Sequence, residues 1–199
     1  MSDLMLSWGK RIAARAASCK RLWARFSHDL GAGATVEFVM LTPVILSMLA
    51  LVVVGGEGFE INRKVTTVVR TLADLASQQT SIGATGSTYT YTQILNAASL
   101  VVQPYDSSQL SLVLSEVSAN GTGTGVVKWS QANAQGTALT VGATVTVPSN
   151  ITTAGYLILG SARYNFTPLQ IFLPMAAFPI TDSLYLAPRS GTTGVTCCT

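Results

Sequence analysis

One acidic residue at the start of a long apolar run is the first candidate for chemistry in this sequence. Glu37 directly precedes residues 38–54, which are all apolar except Thr42, Pro43 and Ser47. A charged side chain such as Asp or Lys costs about 2.5–3.5 kcal/mol at the centre of a membrane helix, and less near its edge. Glu37 is therefore a candidate for pairing with an opposite charge. The alternative is an interfacial acid that stabilises the positive N-terminal end of a helix.

The residues that most enzymes use for catalysis are scarce in the rest of the chain. The only histidine is His28, so the region beyond the apolar run lacks the base of a Ser–His triad and any His-containing metal site. The sequence has no phosphate-binding glycine loop, no dinucleotide-binding glycine motif and no zinc-type cysteine spacing. Asp106 and Glu116 are isolated acids in a Ser/Thr-rich region, a setting typical of solvated surface groups. We therefore expect no enzymatic activity, no cofactor and no small-molecule substrate.

Two of the three cysteines are adjacent, Cys197 and Cys198, and the third is Cys19. The adjacent pair admits three states: a disulfide ring between neighbouring residues, a disulfide between subunits, or two free thiols. Two ligands without a nearby histidine are too few for a metal site. The sequence predicts that both cysteines belong to a flexible tail over residues 190–199.

The apolar run has the length and composition of a membrane-spanning helix. Its 17 residues, 38–54, span about 25 Å at about 1.5 Å per residue, near the lower limit for crossing a bilayer. A secretory signal is disfavoured, because its apolar part has only about 7–15 residues and is followed by a small-residue cleavage site. We predict a single transmembrane helix over residues 33–56.

Half of the basic residues lie before this helix. The first thirty residues hold six of the twelve Lys and Arg side chains, against two acids. By the positive-inside rule, this basic leader, residues 1–32, is cytoplasmic, and the chain beyond the helix lies outside. Beyond residue 56 the basic and acidic residues balance, so nucleic acid is not expected as a partner. The basic residues of the leader are Lys10, Arg11, Arg15, Lys20, Arg21 and Arg25.

A stretch of small residues precedes Glu37, and Pro43 follows six positions after it. With the string ATVEFVMLTPVILSMLALVV, these residues resemble the TadE-like pseudopilins of the tight adherence (Tad, or Flp) pilus, in which Val-Glu-Phe opens an apolar run that contains a proline. The resemblance implies a minor pilin-like subunit of a pilus assembly and secretion machine in the bacterial inner membrane, with a periplasmic C-terminal domain. It implies as partners a prepilin peptidase, other pilins or pseudopilins, and proteins of the pilus assembly platform. Glu37 and Phe38 would take part in subunit pairing.

The resemblance also makes Gly31, Ala32, Gly33 and Ala34 the processing site, where the peptidase cuts after a small residue. In related pilins the fifth residue of the mature chain is Glu, which puts the cut between Ala32 and Gly33. A cut after Gly31 would keep the usual glycine before the cut and make Glu37 the sixth residue. An uncleaved single-pass envelope scaffold or adhesin is the alternative function.

Residues 57–79 are predicted to form an amphipathic helix that continues the membrane helix. Their apolar side chains recur every three or four positions and form one stripe, which comprises Ile61, Val65, Val68, Leu72 and Leu75. We expect this stripe to pack against a domain over residues 80–189. The result is a pilin-like α+β fold with a small antiparallel sheet.

Within that domain the sequence predicts one helix, Tyr91–Val102, followed by five strands. Residues 167–179 carry three prolines, which argue against a helix or a central strand over the whole of that segment. The predicted strands are Gln109–Val117, Val126–Trp129, Leu139–Val147, Tyr156–Phe166 and Ser183–Ala187.

Overall fold

The computed structural model describes residues 32–83, 87, 89–148, 151, 154–168, 176–189 and 193–198. The basic leader as far as Gly31 lies outside the described residues. The chain divides into two compact units, residues 1–53 and residues 54–199. The first helix, α1, is Ala32–Ser77 and contributes to both units.

Helix α1 covers both segments predicted to be helical, residues 33–56 and 57–79, and it ends two residues before the predicted end. In its second part, four residues of the predicted stripe are at most 1% exposed: Ile61, Val65, Val68 and Leu72. Leu75, the last of the stripe, is half-buried and packs against the same core. The amphipathic pattern was therefore a correct guide to the buried face of this part of α1.

The last turn of α1 is joined to a residue that lies far away in the sequence. The backbone N–H of Arg189 donates to the carbonyl oxygen of Ser77 at 2.8 Å. The guanidinium of Arg189 pairs with Oδ1 of Asp74 at 2.6 Å, although both side chains are largely exposed. A cation beside the C-terminal turn also interacts favourably with the helix dipole.

The second helix, α2, is Tyr91–Leu100, which confirms the predicted helix to within two residues of its end. Its start is fixed by a reciprocal capping box. The Thr90 hydroxyl accepts from the Gln93 N–H at 3.3 Å, and the Thr90 N–H donates to Oε1 of Gln93 at 2.9 Å. The buried face of α2 consists of Ile94, Leu95 and Ala98.

Among the described residues the chain has seven strands: β1 Ser81–Ile82, β2 Leu110–Ala119, β3 Thr124–Ala132, β4 Thr144–Thr146, β5 Gly155–Phe166, β6 Phe178–Leu186 and β7 Thr196–Cys197. Five of them form an antiparallel sheet in the order β4-β3-β2-β5-β6, which confirms the α+β class and the small antiparallel sheet. A short 3₁₀ helix, Ser107–Gln109, leads into β2. The two-residue strands β1 and β7 pair in parallel.

Three strands differ from the predicted ones. Strand β3 begins two residues before and ends three residues after the predicted Val126–Trp129. The strand predicted at Leu139–Val147 is shortened to β4, because Gly142 has a φ of 86° and forms a turn ahead of it. Strand β6 begins at Phe178, five residues before the predicted start, and includes Pro179. A proline is tolerated there because β6 is an edge strand. Residues 169–175 of the proline-rich segment lie outside the described residues.

The sheet is covered on both faces. One face packs against α1 and α2, and its core includes Leu72, Leu95, Leu112 and Ile158. Strand β5 approaches α1 closely at Gly160, where an added Cβ would lie 3.2 Å from the carbonyl oxygen of Val69. The other face carries a smaller cluster around Val117, Val127, Val147, Leu157 and Leu159, over which Leu139, Ala143 and Val145 pack.

A β-bulge decides which side chains of β3 reach the helical face. Glu116 pairs with Trp129 but its neighbour Val117 pairs with Val127, which leaves Lys128 as the extra residue. As a result Trp129 belongs to the core on the helical face, whereas Val127 belongs to the cluster on the opposite face. The bulge thus places the Trp129 indole on the same face as the Glu116 side chain.

Candidate functional site

Of the residues predicted for processing and subunit pairing, Gly33, Glu37 and Phe38 lie in the first two turns of α1. Helix α1 begins at Ala32, so Gly33 and Glu37 are four positions apart within one helix, a rise of about 6 Å at about 1.5 Å per residue. Gly31 lies outside the described residues, and so do the side chains of Ala32 and Ala34.

Gly33, Glu37 and Phe38 are presented on an open surface. A Cβ added at Gly33 would meet no atom within 4 Å. Glu37 is exposed, and Phe38 is 67% exposed. Among the described residues no Lys or Arg lies within ion-pair distance of the Glu37 carboxylate. Within the described part of the chain, the Glu37 carboxylate therefore has no cationic partner.

The surface that follows Glu37 is almost entirely apolar and exposed. Between residues 36 and 53 the large apolar side chains are 48% to 74% exposed. A contiguous apolar surface of this size marks a site of contact with lipid or with another protein. Within the described part of the chain, one helix is long and apolar enough to cross a membrane, and it contains this surface.

The polar residues inside this apolar stretch form their hydrogen bonds within the helix. The Thr42 hydroxyl donates to the carbonyl oxygen of Phe38 at 2.7 Å. The Ser47 hydroxyl donates to the carbonyl oxygen of Val44 at 2.8 Å. Hydrocarbon offers no partner to a polar group, so hydroxyls bonded to their own helix suit a lipid environment. Pro43 lies inside α1 and supplies no backbone N–H, and the residue before it, Thr42, forms the hydroxyl bond to Phe38.

Glu116 corrects the expectation that the isolated acids of the domain are solvated. It is only 4% exposed, and its Oε1 accepts a hydrogen bond from the N–H of Val195 at 2.5 Å. Burial raises the pKa of the Glu116 carboxyl, while the hydrogen bond from Val195, the neighbouring Trp129 indole and the charge of Lys128 act in the opposite direction. Glu116 thus holds a distant segment of the chain in place.

Asp106, the other isolated acid, keeps the surface role that was predicted. Its carboxylate accepts from the N–H of Ser108 at 2.8 Å and from the Ser108 hydroxyl at 2.6 Å. These two bonds favour the ionised form and lower the pKa of Asp106. The two acids have separate structural roles.

Residues 193–198, which we call the docked segment, occupy the position next to Glu116. In place of the tail expected over residues 190–199, Val195 is fully buried and residues 196–197 form β7. Trp129 donates from Nε1 to the carbonyl oxygen of Val195 at 2.6 Å, so both polar groups of the Val195 backbone are bonded. Gly194 lies so close to Glu116 that a side chain at this position would collide with the carboxylate.

The sequence contained one signal for the burial of Glu116. The residue follows Leu110, Leu112 and Leu114 at a spacing of two, so it lies on the apolar face of β2. An acid on the buried face of a strand requires a hydrogen-bonding partner in the core. Its partner, Val195, is 79 residues away, and nothing local identifies it.

Comparisons with protein-family models, curated proteins and solved structures return no match. Function is therefore inferred from the residues of this chain. Glu37 and the apolar surface behind it form the candidate site, since the charge and the exposed hydrophobic area each need a partner.

Proposed function

We propose that this protein is a minor pilin-like (pseudopilin) subunit of a Tad/Flp-type pilus assembly and secretion machine. A prepilin peptidase processes it at residues 31–34, and the apolar part of α1 anchors it in the bacterial inner membrane. The observation that carries the proposal is the exposed Glu37 at the start of an exposed apolar helix. The order of small residues, Glu37, Phe38 and Pro43 supports it through the resemblance to TadE-like proteins.

The membrane anchor is supported by the contrast between the two parts of α1. From residue 36 to 53 the large apolar side chains are about half to three-quarters exposed, whereas from Ile61 to Leu72 the stripe is buried. Water would oppose the exposure of the first part, because each buried apolar side chain stabilises by about 1.5–3 kcal/mol. A bilayer removes that cost, so the first part acts as an anchor and the second as a core element of the domain.

Glu37 then acts as the pairing group between subunits. A cut between Ala32 and Gly33 creates a new positive amine four positions before the acid, about one helical turn away. A lone charge is costly in lipid, and so is the opposite charge on a neighbouring subunit. Pairing the amine of one subunit with the Glu37 carboxylate of another removes both costs, which gives association a driving force and a fixed register.

The leader is expected to be cytoplasmic and the domain periplasmic. An alkaline phosphatase fused after residue 199 should be active, whereas the same enzyme fused within residues 1–30 should be inactive, because six Lys and Arg side chains precede the helix. A green fluorescent protein fused at the same two positions is the matched control and should give the opposite pattern. A periplasmic leader together with a cytoplasmic domain would contradict the pilin-like assignment.

A further inference from the structure

The docked segment, residues 193–198, is held by backbone pairing at one end of the domain. Strand β7 lies parallel to β1, which follows the end of α1 directly. The Thr196 N–H donates to the carbonyl oxygen of Thr80 at 3.2 Å, and the Cys198 N–H donates to that of Ile82 at 3.1 Å. Each strand has only two residues, so this pairing is weak by itself.

A second set of contacts fixes the segment at Val195. Glu116 accepts from the Val195 N–H and Trp129 donates to the Val195 carbonyl, at 2.5 and 2.6 Å. The Val195 side chain belongs to the main core and is fully buried. These contacts involve side chains of β2 and β3, so they do not depend on the residues that follow Val195.

The third feature is covalent: Cys197 and Cys198 form a disulfide with each other. Cys197 is half-buried and packs against the core, whereas Cys198 is exposed. Cys198 has a φ of 65°, in the left-handed region that residues other than glycine rarely adopt. In this conformation the Cys198 N–H donates a hydrogen bond to the carbonyl oxygen of Ile82.

We propose that Cys197–Cys198 is a thiol–disulfide exchange site for a dithiol, and that its redox state controls whether residues 196–198 stay paired with β1. This inference does not depend on peptidase processing or on pilus assembly. The co-reactant is a dithiol, such as the reduced active site of a thiol–disulfide oxidoreductase. The exposed Cys198 is the accessible half of the bond.

The exchange is balanced in two steps. A thiolate of the dithiol attacks Sγ of Cys198, the bond between the two cysteines breaks, and Cys197 leaves as a thiolate that takes up a proton. The second thiol of the reagent then attacks the mixed disulfide and releases Cys198 as a thiol. The dithiol has become a disulfide, and the protein has gained two electrons and two protons.

Reduction affects the pairing through the backbone of Cys198. While the ring is closed, it holds Cys198 in the left-handed region. Once the ring opens, Cys198 can return to a negative φ, which residues with a Cβ prefer. The ring also contains the peptide bond between the two cysteines, so its opening frees ψ of Cys197, which sets the direction of the Cys198 N–H. That N–H is then no longer held toward the carbonyl oxygen of Ile82, and the two-residue pairing between β7 and β1 loses one end. Val195 remains bound to Glu116 and Trp129, so the change is confined to residues 196–198.

The test uses the full chain in detergent micelles with Cys19→Ser, which leaves Cys197 and Cys198 as its only cysteines. The air-oxidised protein should take up no N-ethylmaleimide by mass spectrometry, and the protein reduced with dithiothreitol should take up two. Hydrogen exchange at the Thr196 and Cys198 amides should become about tenfold faster on reduction. The Val195 amide and those of β2 should be unchanged. A variant that also carries Cys197→Ser and Cys198→Ser should show the faster exchange without dithiothreitol.

Four results would overturn the proposal. Two reactive thiols before reduction would mean that the ring does not form, and a covalent dimer on a non-reducing gel would mean that the cysteines pair between subunits. Exchange at Thr196 and Cys198 that is the same in both states would remove the link between the disulfide and the pairing. Faster exchange throughout β2 would show that the disulfide holds the whole domain.

Discussion

Under the proposed function, Glu37→Ala is expected to abolish association of this protein with other subunits, while membrane insertion and folding persist. Glu37 is exposed, and the described cores lie beyond residue 60, so the substitution removes no packing contact from the domain. What it removes is the only charge between residues 32 and 56. Without the carboxylate, the amine of a neighbouring subunit would remain unpaired in lipid, and subunit docking would lose its driving force.

Co-purification of a second, differently tagged copy or of a partner pilin from membranes measures this effect, alongside an immunoblot for cleavage. Glu37→Asp should retain part of the association, because it keeps the charge but shortens the reach. Ser47→Ala is the matched control in the same helix, since its hydroxyl bonds only to the carbonyl oxygen of Val44. Normal co-purification of the Ala variant would return Glu37 to the role of an interfacial acid at a helix start.

Leu72→Ala is expected to produce a large loss of stability. Leu72 is fully buried where α1 packs on the sheet, and removal of a buried leucine side chain costs about 2–5 kcal/mol. A domain has only about 5–15 kcal/mol of stability in total, so a large share would be lost. Leu100→Ala is the matched control, because Leu100 is 63% exposed on α2 and its truncation should change stability by at most about 0.5 kcal/mol.

Urea unfolding of the full chain in detergent measures the difference. Trp129 reports on the domain by fluorescence when Trp8 and Trp23 are replaced with Phe, because these are the only other tryptophans. The Leu72→Ala midpoint should fall well below the Leu100→Ala midpoint. Equal midpoints would show that the stripe on α1 does not carry the stability of the domain.

Local sequence patterns were sufficient where local physics determines the element. The stripe of α1 repeats with the helical period, so its buried face could be predicted from spacing alone. Helix α2 begins at a Thr-x-x-Gln capping box and ends before Pro104, both local signals. Strands β2 and β5 follow from apolar residues bounded by turn residues, and their observed ends lie within two residues of the predicted ones.

Sequence patterns failed where a long-range contact decides the outcome. Glu116 was expected at the surface, but its burial depends on the backbone of Val195, which no local pattern brings near. The same contact explains why the docked segment is packed although it has only six residues. The strand predicted at Leu139–Val147 was too long, because strict alternation gave no indication that Gly142 would adopt positive φ.

The mature N-terminus is the most direct test of the proposed function. The protein should be purified from membranes of cells with an active prepilin peptidase, and its N-terminal residue identified by mass spectrometry. We expect the chain to begin at Ala32 or Gly33, and to keep its leader when Gly31, Ala32 and Gly33 are all replaced with Leu, because bulky side chains block a site that accepts small residues. A wild-type chain that retains its leader would contradict processing and favour an uncleaved envelope scaffold or adhesin.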